Sequence, residues 1–274
     1  MKIVKNTLEL GAETPFTFLH ISDIHLSEAD ETETEARRAF AASRKQYFSK
    51  ALYYLDFVRG YTAKTGYPLF NTGDMLDFIT PENLRIAQKF AEDTGMIFVA
   101  GNHEYWHCPN NRFSYDDVPE TYEKKNESLD CIGAYFRNDI RFCRREINGV
   151  NLVCIDDTDY HISAAHFEAL KAIEAEGRPI ILFMHIPLYS EYLDDQTKYS
   201  LCAPEKYFEN CHPVDVFERR PDELTCRAVE HIRRSPLIRL VISGHTHADR
   251  EILGRGEQDQ IITGIGTIRE ITVI

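Results

Sequence analysis

The chain has 274 residues, 43% of them hydrophobic, which is enough to form a substantial buried core. Its formal net charge of −13 at pH 7 makes the surface repel nucleic-acid backbones and anionic membranes at long range. Extended nucleic acid and membrane surfaces are therefore excluded as expected partners. A local cluster of metal cations could still attract a small phosphorylated ligand, and the composition leaves the oligomeric state open.

The cysteines and the first residues of the chain bear on its location. Seven cysteines are scattered along the sequence, and no Cys-x-x-Cys pair occurs. An odd number at such spacings is typical of free thiols in a reducing compartment, not of a disulfide framework or a thiolate zinc site. Residues 1–10 lack the apolar centre of a signal peptide, and no apolar run reaches the length of a membrane span. We therefore expect a cytoplasmic protein.

Short apolar runs bounded by Gly, Pro, Asn and Asp predict buried strands. These runs cover residues 16–22, 69–72, 96–100, 180–184 and 237–243. Asn148-Gly149 lies between two apolar-rich runs and predicts a β-hairpin. Residues 250–274 indicate several further short strands.

Apolar residues at helical spacing predict helices between these strands. The helices are expected at about 34–64, 81–93, 163–176 and 222–235. Ser163 is placed to cap its helix, and Pro81 suits a first helical turn. We expect one domain over residues 1–274, with sheets covered by helices. Irregular insertions near 105–137 and 189–221 are too long for simple connections and are expected to act as lids or binding loops.

Each of the five predicted strands is followed by residues that could bind a metal ion. Because ligands gather beyond the carboxyl ends of strands in open α/β sheets, these side chains should meet at one edge. The candidate ligands are Asp23, His25, Asp74, Asn102, His185, His245 and His247. Gly73, Gly101 and Gly244 precede three of these groups and would permit sharp turns where the backbone approaches the site.

The chemistry of these candidates limits what they could bind. Carboxylate, amide oxygen and imidazole without sulfur suit Mn, Fe, Zn, Ni or Co. Seven ligands exceed what one ion needs, but they fit two ions that share a bridging carboxylate. Each motif taken alone could also occur without a metal-binding role. Asp-x-His occurs by chance, and a single histidine after a strand, such as His185, is more often a buried structural residue. The complete ordered set favours a metal site.

The ordered motifs D-x-H, G-D-x-x-D, G-N-H-E, H and G-H-T-H resemble those of the calcineurin-like metallophosphoesterases, over about residues 16–249. The resemblance implies an α/β (α+β) fold, a four-layer αββα sandwich of two mixed β-sheets flanked by helices. It also implies a dinuclear metal site at the carboxyl ends of the strands, with Mn and Fe favoured. One ion would take Asp23, His25, Asp74 and His247, and the other Asp74, Asn102, His185 and His245. Asp74 would bridge the two ions.

The resemblance further implies catalytic roles for two residues. His103 would act beside the ions as an acid or charge stabiliser, and Asp77 would orient neighbouring groups. Two cations lower the pKa of a shared water, and the resulting hydroxide attacks phosphorus in line with the leaving oxygen. His103 would then protonate that oxygen. Asn102, His103 and the nearby His107 are the residues expected to contact substrate.

The expected function is metal-dependent hydrolysis of a small nucleotide-like phosphodiester or phosphomonoester. The purple acid phosphatase type does not fit. That type has a metal-binding tyrosine at the position of Asp77, and it has no histidine at the position of His25. The alternative is a non-catalytic, metal-bearing module whose long loops bind a protein partner. Aromatic residues in the 189–221 insertion would either stack on a base or pack that insertion onto the core.

Overall fold

A computed structural model of the chain describes residues 1–104, 122–208 and 220–274, without the side chains of 122–124, 195–197 and 208. The strands are β1 (Lys2–Leu8), β2 (Phe16–Ile21), β3 (Leu69–Asn71), β4 (Ile97–Phe98), β5 (Phe142–Ile147), β6 (Val150–Ile155), β7 (Ile180–Phe183), β8 (Ile238–Ser243), β9 (Arg250–Ile252), β10 (Gln260–Ile262) and β11 (Thr267–Val273). The α-helices are α1 (Glu35–Tyr47), α2 (Ala51–Thr65), α3 (Pro81–Thr94), α4 (Tyr122–Gly133), α5 (Ala164–Glu174) and α6 (Glu223–Arg234).

These strands form two mixed sheets. The first has the order β1-β11-β2-β3-β4, and only β11 and β2 pair antiparallel. The second has the order β5-β6-β7-β8-β10-β9, with antiparallel pairs at its two ends. The parallel runs β2-β3-β4 and β6-β7-β8 each direct their carboxyl ends to one edge of a sheet, and the candidate ligands follow these ends.

The side chains of each inner strand alternate between two layers of the core. Phe18 of β2 packs between the two sheets, whereas Leu19 and Ile21 pack against α2 and α3. In the second sheet Phe183 faces the first sheet, while Leu182 packs against α5 and α6. The layers therefore run helix, sheet, sheet, helix, and the predicted four-layer αββα sandwich of two mixed sheets is confirmed.

Local signals in the sequence set several element boundaries as expected. The Ser163 hydroxyl accepts a hydrogen bond from the backbone N–H of His166 at 3.1 Å, which caps α5. Pro81 opens α3, and α3 ends at Gly95 in the left-handed region. Asn148 and Gly149 join β5 to β6, both with positive φ, as a type I′ hairpin turn requires.

The single helix predicted over 34–64 is wrong, because the chain forms α1 and α2 with a break at residues 48–50. Phe48 leaves helical geometry with φ −109° and ψ 36°, and α2 begins after Lys50. The break turns the Phe48 ring onto His25, where the two rings stack with centroids 4.2 Å apart. Helical periodicity continues across the break, so the pattern did not reveal it.

The insertion predicted as irregular over 105–137 contains α4, so that part of the prediction is wrong. Leu129 and Ile132 of α4 are fully buried in the core beside α2 and α3, and their burial favours a helix there. Residues 105–121 lie outside the described residues. The 189–221 insertion contains two short 3₁₀ segments, Glu191–Tyr199 and Glu205–Phe208, within its described part.

Strand β1 was not predicted from the sequence. It lies at the edge of the first sheet and pairs parallel to β11 along its whole length. Its residues are exposed or partly buried, so it lacks the continuous apolar run that marks the inner strands. Among the helices of the described residues, none combines the length and the hydropathy that crossing a bilayer would require.

Candidate metal centre

The first group of candidate ligands joins the loops after β2, β3 and β8. Four side chains each offer one ligand atom, and these four atoms lie within 4.8 Å of one another; the residues are Asp23, His25, Asp74 and His247. The Nε2 atom of His25 lies 2.9 Å from Nε2 of His247 and 3.6 Å from Oδ2 of Asp74. Asp23 Oδ1 lies 3.5 Å from the same nitrogen of His247. Two imidazoles and two carboxylates therefore surround one point.

The second group shares Asp74 and uses the loops after β4, β7 and β8. Asp74, His185 and His245 again place ligand atoms within 4.8 Å of one another. The amide oxygen of Asn102 lies 3.0 Å from His185 Nε2 and 3.0 Å from His245 Nδ1. Asp74 Oδ2 is 3.4 Å from His185 Nε2 and 3.6 Å from His25 Nε2. One oxygen of Asp74 thus lies between the two groups.

The orientation of the imidazoles fits bound cations. His185 donates its Nδ1 proton to the carbonyl oxygen of Thr72 at 2.6 Å, so its Nε2 atom faces His245 Nδ1 at 3.1 Å. His25 donates its Nδ1 proton to Asp77, so its Nε2 lone pair faces His247. At these separations a shared proton or a cation lies between the two nitrogens of each pair. With the oxygen and nitrogen donors around them, both groups fit transition-metal ions.

The backbone at this site adopts unusual conformations. Asp23, His25, Asp74, His245 and His247 all have positive φ, between 51° and 66°. Such values are uncommon for residues other than glycine and cost energy, so surrounding contacts must hold them. The backbone N–H of His25 donates to the carbonyl of Asp74 at 2.9 Å, and that of His245 donates to the Asp23 carboxylate at 3.1 Å. The loops therefore support one another.

Two glycines are required because other atoms come too close. A Cβ atom at Gly101 would lie 2.3 Å from the backbone nitrogen of Asp74. A Cβ atom at Gly244 would lie 1.9 Å from the hydroxyl oxygen of Ser22 and 2.4 Å from a carboxylate oxygen of Asp23. Neither position has room for a side chain, so glycine lets the loops pack closely around the ligands.

His103 and Asp77 lie beside the first group. The backbone N–H of His103 donates to Asp74 Oδ1 at 3.0 Å, and its ring nitrogen Nδ1 donates to the carbonyl oxygen of Asp77 at 2.7 Å. Its ring meets the His25 ring edge to face with centroids 4.7 Å apart. The Asp77 carboxylate accepts hydrogen bonds from Arg44, from Ser27 and from Nδ1 of His25.

Electrostatic interactions within the site are strong because its groups are buried. Burial lowers the pKa of His103, but the charge of Asp74 and the hydrogen bond to Asp77 outweigh it and raise the pKa to about 9. Burial likewise lowers the pKa of His185, and the charge of Asp74 raises it to about 10. Burial would raise the pKa of Asp74, yet the charges of His185 and His103 hold it well below its usual range. The negative charges of Asp74 and Asp77 thus favour positive charge at this site, whether on a histidine or on a bound cation.

Several residues that support the site were not predicted. Glu104 follows His103 in the G-N-H-E motif, and its carboxylate accepts backbone hydrogen bonds from Gly101, Asp74 and Leu76 at 2.6, 2.9 and 3.0 Å. It ties the loop after β3 to the loop after β4. Its place in the motif was the signal that could have suggested a structural role.

Asp157 and Tyr160 support the second group from the loop after β6. Asp157 accepts a hydrogen bond from the backbone N–H of His185 at 2.9 Å, and the hydroxyl of Tyr160 lies 2.8 Å from Nε2 of His245. Asp157 follows an apolar run, as the predicted ligands do, so its position could have been recognised. No local pattern marks Tyr160. His107, predicted to contact substrate, lies outside the described residues.

The sequence model of the calcineurin-like phosphoesterases matches residues 16–249 of this chain. Because the match spans most of the chain, the protein belongs to the calcineurin-like phosphoesterase family. The resemblance predicted from the motifs is thereby confirmed. None of the curated protein sequences compared with the chain matches it significantly.

Solved structures similar to the chain include two phosphatases and one hydrolase. A dimetal phosphatase from Danio rerio is 15% identical, with a TM-score of 0.45, over 91% of this chain and 87% of that one. Phosphopantetheinyl hydrolase from Mycobacterium tuberculosis is 15% identical, with a TM-score of 0.44, over 90% and 89%. A purple acid phosphatase from yellow lupin is 11% identical, with a TM-score of 0.46, over 94% of this chain but 44% of that one. At these values the likenesses say nothing about activity.

Proposed function

We propose that the protein is a metal-dependent phosphoester hydrolase with a dinuclear centre, acting on a small nucleotide-like phosphodiester or phosphomonoester. The observation that carries the proposal is the position of Asp74, whose Oδ2 atom lies 3.6 Å from one group of ligands and 3.4 Å from the other. A carboxylate oxygen between two sets of imidazoles suits a bridge between two cations. These nitrogen and oxygen donors suit Mn, Fe, Zn, Ni or Co, and the family resemblance favours Mn and Fe.

Two bound ions would supply an activated water and neutralise charge on the phosphoryl oxygens. Asp23, His25 and His247 would hold one ion together with Asp74. Asn102, His185 and His245 would hold the other, again with Asp74. Asn102 is also expected to contact substrate through its amide NH2 group, because its amide oxygen already faces the two histidines.

His103 would handle the proton of the leaving group. Its Nδ1 atom donates to the carbonyl of Asp77, so Nε2 is the nitrogen that can carry a proton to the leaving oxygen. Asp77 would orient both His103 and His25 through hydrogen bonds.

Aromatic residues near both groups support a nucleotide-like substrate. Phe48 stacks on His25, and the ring of Tyr199 lies 6.3 Å from that of His245, centroid to centroid. Both aromatic residues are partly exposed, so a base or another flat group could pack against them. Tyr199 belongs to the insertion in which the sequence predicted either base stacking or packing on the core.

The proposal includes a cytoplasmic location and a single domain. The cysteines of the described residues are free thiols, which supports a reducing, cytoplasmic environment. They are Cys131, Cys143, Cys154, Cys202 and Cys226. We infer that residues 1–274 form one domain.

The direct test is turnover by protein reconstituted with Mn²⁺. Substrates would be 4-nitrophenyl phosphate, bis(4-nitrophenyl) phosphate and a cyclic nucleotide, which represent monoesters, diesters and cyclic diesters. We expect hydrolysis of at least one substrate by the wild type and none by Asp74→Ala. Asp56→Ala changes an exposed aspartate of α2 and should keep full activity. Wild-type protein that binds Mn²⁺ but hydrolyses nothing would contradict the proposal and favour the non-catalytic binding module.

A further inference from the structure

The end of α1 reaches the metal centre with a residue that belongs to none of the metal-binding motifs. We propose that Arg44 is a positioning residue for the first group of ligands, because it fixes Asp77, which in turn fixes the ring of His25. The inference rests on the proposed function for the identity of the ions, but its test measures metal binding directly.

Arg44 holds Asp77 by two parallel hydrogen bonds. Its Nε and Nη2 atoms donate to Oδ2 and Oδ1 of Asp77, each at 2.6 Å. The Asp77 side chain is fully buried, and that of Arg44 is 16% exposed. Bidentate pairing sets the plane of a carboxylate as well as its position, which a single point charge does not.

The fixed carboxylate then orients His25. Asp77 Oδ1 accepts the Nδ1 proton of His25 at 3.2 Å, and this leaves His25 Nε2 directed at His247 Nε2, 2.9 Å away. A partner that holds the outer nitrogen of an imidazole sets the direction of its ligating lone pair. Rotation of the Asp77 carboxylate would therefore misdirect a ligand of the first ion.

The same helix contacts His25 a second time. Phe48 directly follows the last residue of α1, and its ring lies beside the Arg44 guanidinium. The Phe48 ring stacks on His25 at an interplanar angle of 12°, and the guanidinium carbon of Arg44 lies 5.1 Å from the Phe48 centroid. Arg44 and Phe48 thus restrain His25 at its edge and on its face.

The positive charge of Arg44 also limits how many ions the site takes. His25, Asp77 and His103 form a third group whose ligand atoms lie within 4.8 Å of one another. Because Arg44 is bonded to both oxygens of Asp77, its charge repels a cation there. Arg44 therefore makes Asp77 an orienting residue and not the centre of a third metal site.

Isothermal titration of metal-free protein with Mn²⁺ tests the proposal. Arg44→Gln should weaken one of the two Mn²⁺ sites by about 10- to 100-fold and leave the other unchanged. Arg44→Lys keeps the charge but loses the two parallel bonds, so it should show the same selective loss. Arg38→Gln is the matched control, since Arg38 lies on the exposed face of α1 and bonds only to backbone carbonyls of residues 31 and 33 among its described partners.

Two Mn²⁺ sites of wild-type affinity in both Arg44 variants would overturn the inference. Equal weakening of both sites, together with a lower melting temperature, would also overturn it, because that pattern indicates only a structural role. Should Arg44→Gln fail to fold, Arg44→Lys decides alone. Wild-type protein without Mn²⁺ binding would instead contradict the proposed function, so the two failures are distinguishable.

Discussion

At the residue scale, His103 is the group whose proposed task can be separated from metal binding. Its backbone N–H and ring Nδ1 are occupied by Asp74 and the carbonyl of Asp77. His103→Ala should therefore keep both metal ions, while kcat falls by about a hundredfold to ten-thousandfold on an ester with an alkoxide leaving group. The fall should be smaller for a nitrophenolate, which leaves without a proton. Steady-state kinetics on the two substrates, with metal analysis of each preparation, measures both effects.

The control for this comparison is His231→Ala. His231 pairs with Glu174 between α6 and α5, away from the ligands, so its loss should change neither kcat nor metal content. An equal fall of kcat on both substrates in His103→Ala would point to stabilisation of the phosphoryl oxygens instead. A missing metal ion in that variant would make His103 a ligand.

At the scale of elements, a buried ion pair joins α4 to the loop after β6. Lys125 Nζ lies 3.0 Å from Asp156 Oδ2 and 2.8 Å from Asp159 Oδ1, and the Lys125 side chain is 5% exposed. Lys125→Met should lower the free energy of unfolding by about 3–5 kcal/mol, because it leaves a buried carboxylate without its cation. Urea unfolding near pH 7 measures the loss. A second change, Asp156→Asn, should recover part of it.

The pH dependence of this loss follows from the pKa values of the pair. Burial lowers the pKa of Lys125, but the charges of Asp156 and Asp159 outweigh burial and raise this pKa above its ordinary 10.5. For Asp156 the directions are reversed: burial raises its pKa, but the charge of Lys125 outweighs burial and lowers this pKa below its ordinary 3.8. The ion pair therefore stabilises the fold at every pH between the ordinary pKa of Asp156, 3.8, and that of Lys125, 10.5. Its contribution disappears only as pH falls through the folded pKa of Asp156 or rises through that of Lys125.

The loss in Lys125→Met should consequently be at least as large at about pH 9 as at about pH 6, because burial without the lysine raises the pKa of Asp156 in the variant and favours its protonation at the lower pH. Lys171→Met, at an exposed ion pair on α5, should cost no more than about 1 kcal/mol and serves as the control. A loss from Lys125→Met that matches this control would show that the pair does not anchor α4.

At the scale of the whole molecule, the convergence of the candidate ligands could be predicted, because parallel strands share the edge where their carboxyl ends lie. The Arg44–Asp77 contact could not, since it depends on how α1 packs against the loop after β3. The helix break at residues 48–50 could not either, because helical periodicity runs through it. The positive φ of His245 accompanies a hydrogen bond from its backbone N–H to Asp23 on another loop, which the order of residues does not show. Strand β1 was missed because an edge strand needs no continuous apolar run.

The central claim is that two metal ions act together at the junction of the two sheets. It is tested most directly by titrating metal-free protein with Mn²⁺ and measuring phosphoester hydrolysis against the number of ions bound per chain. Because Asp74 belongs to both groups of ligands, we expect activity to reach its maximum only when about two ions are bound. Full activity at one bound ion per chain, or undiminished activity without bound metal, would contradict the account.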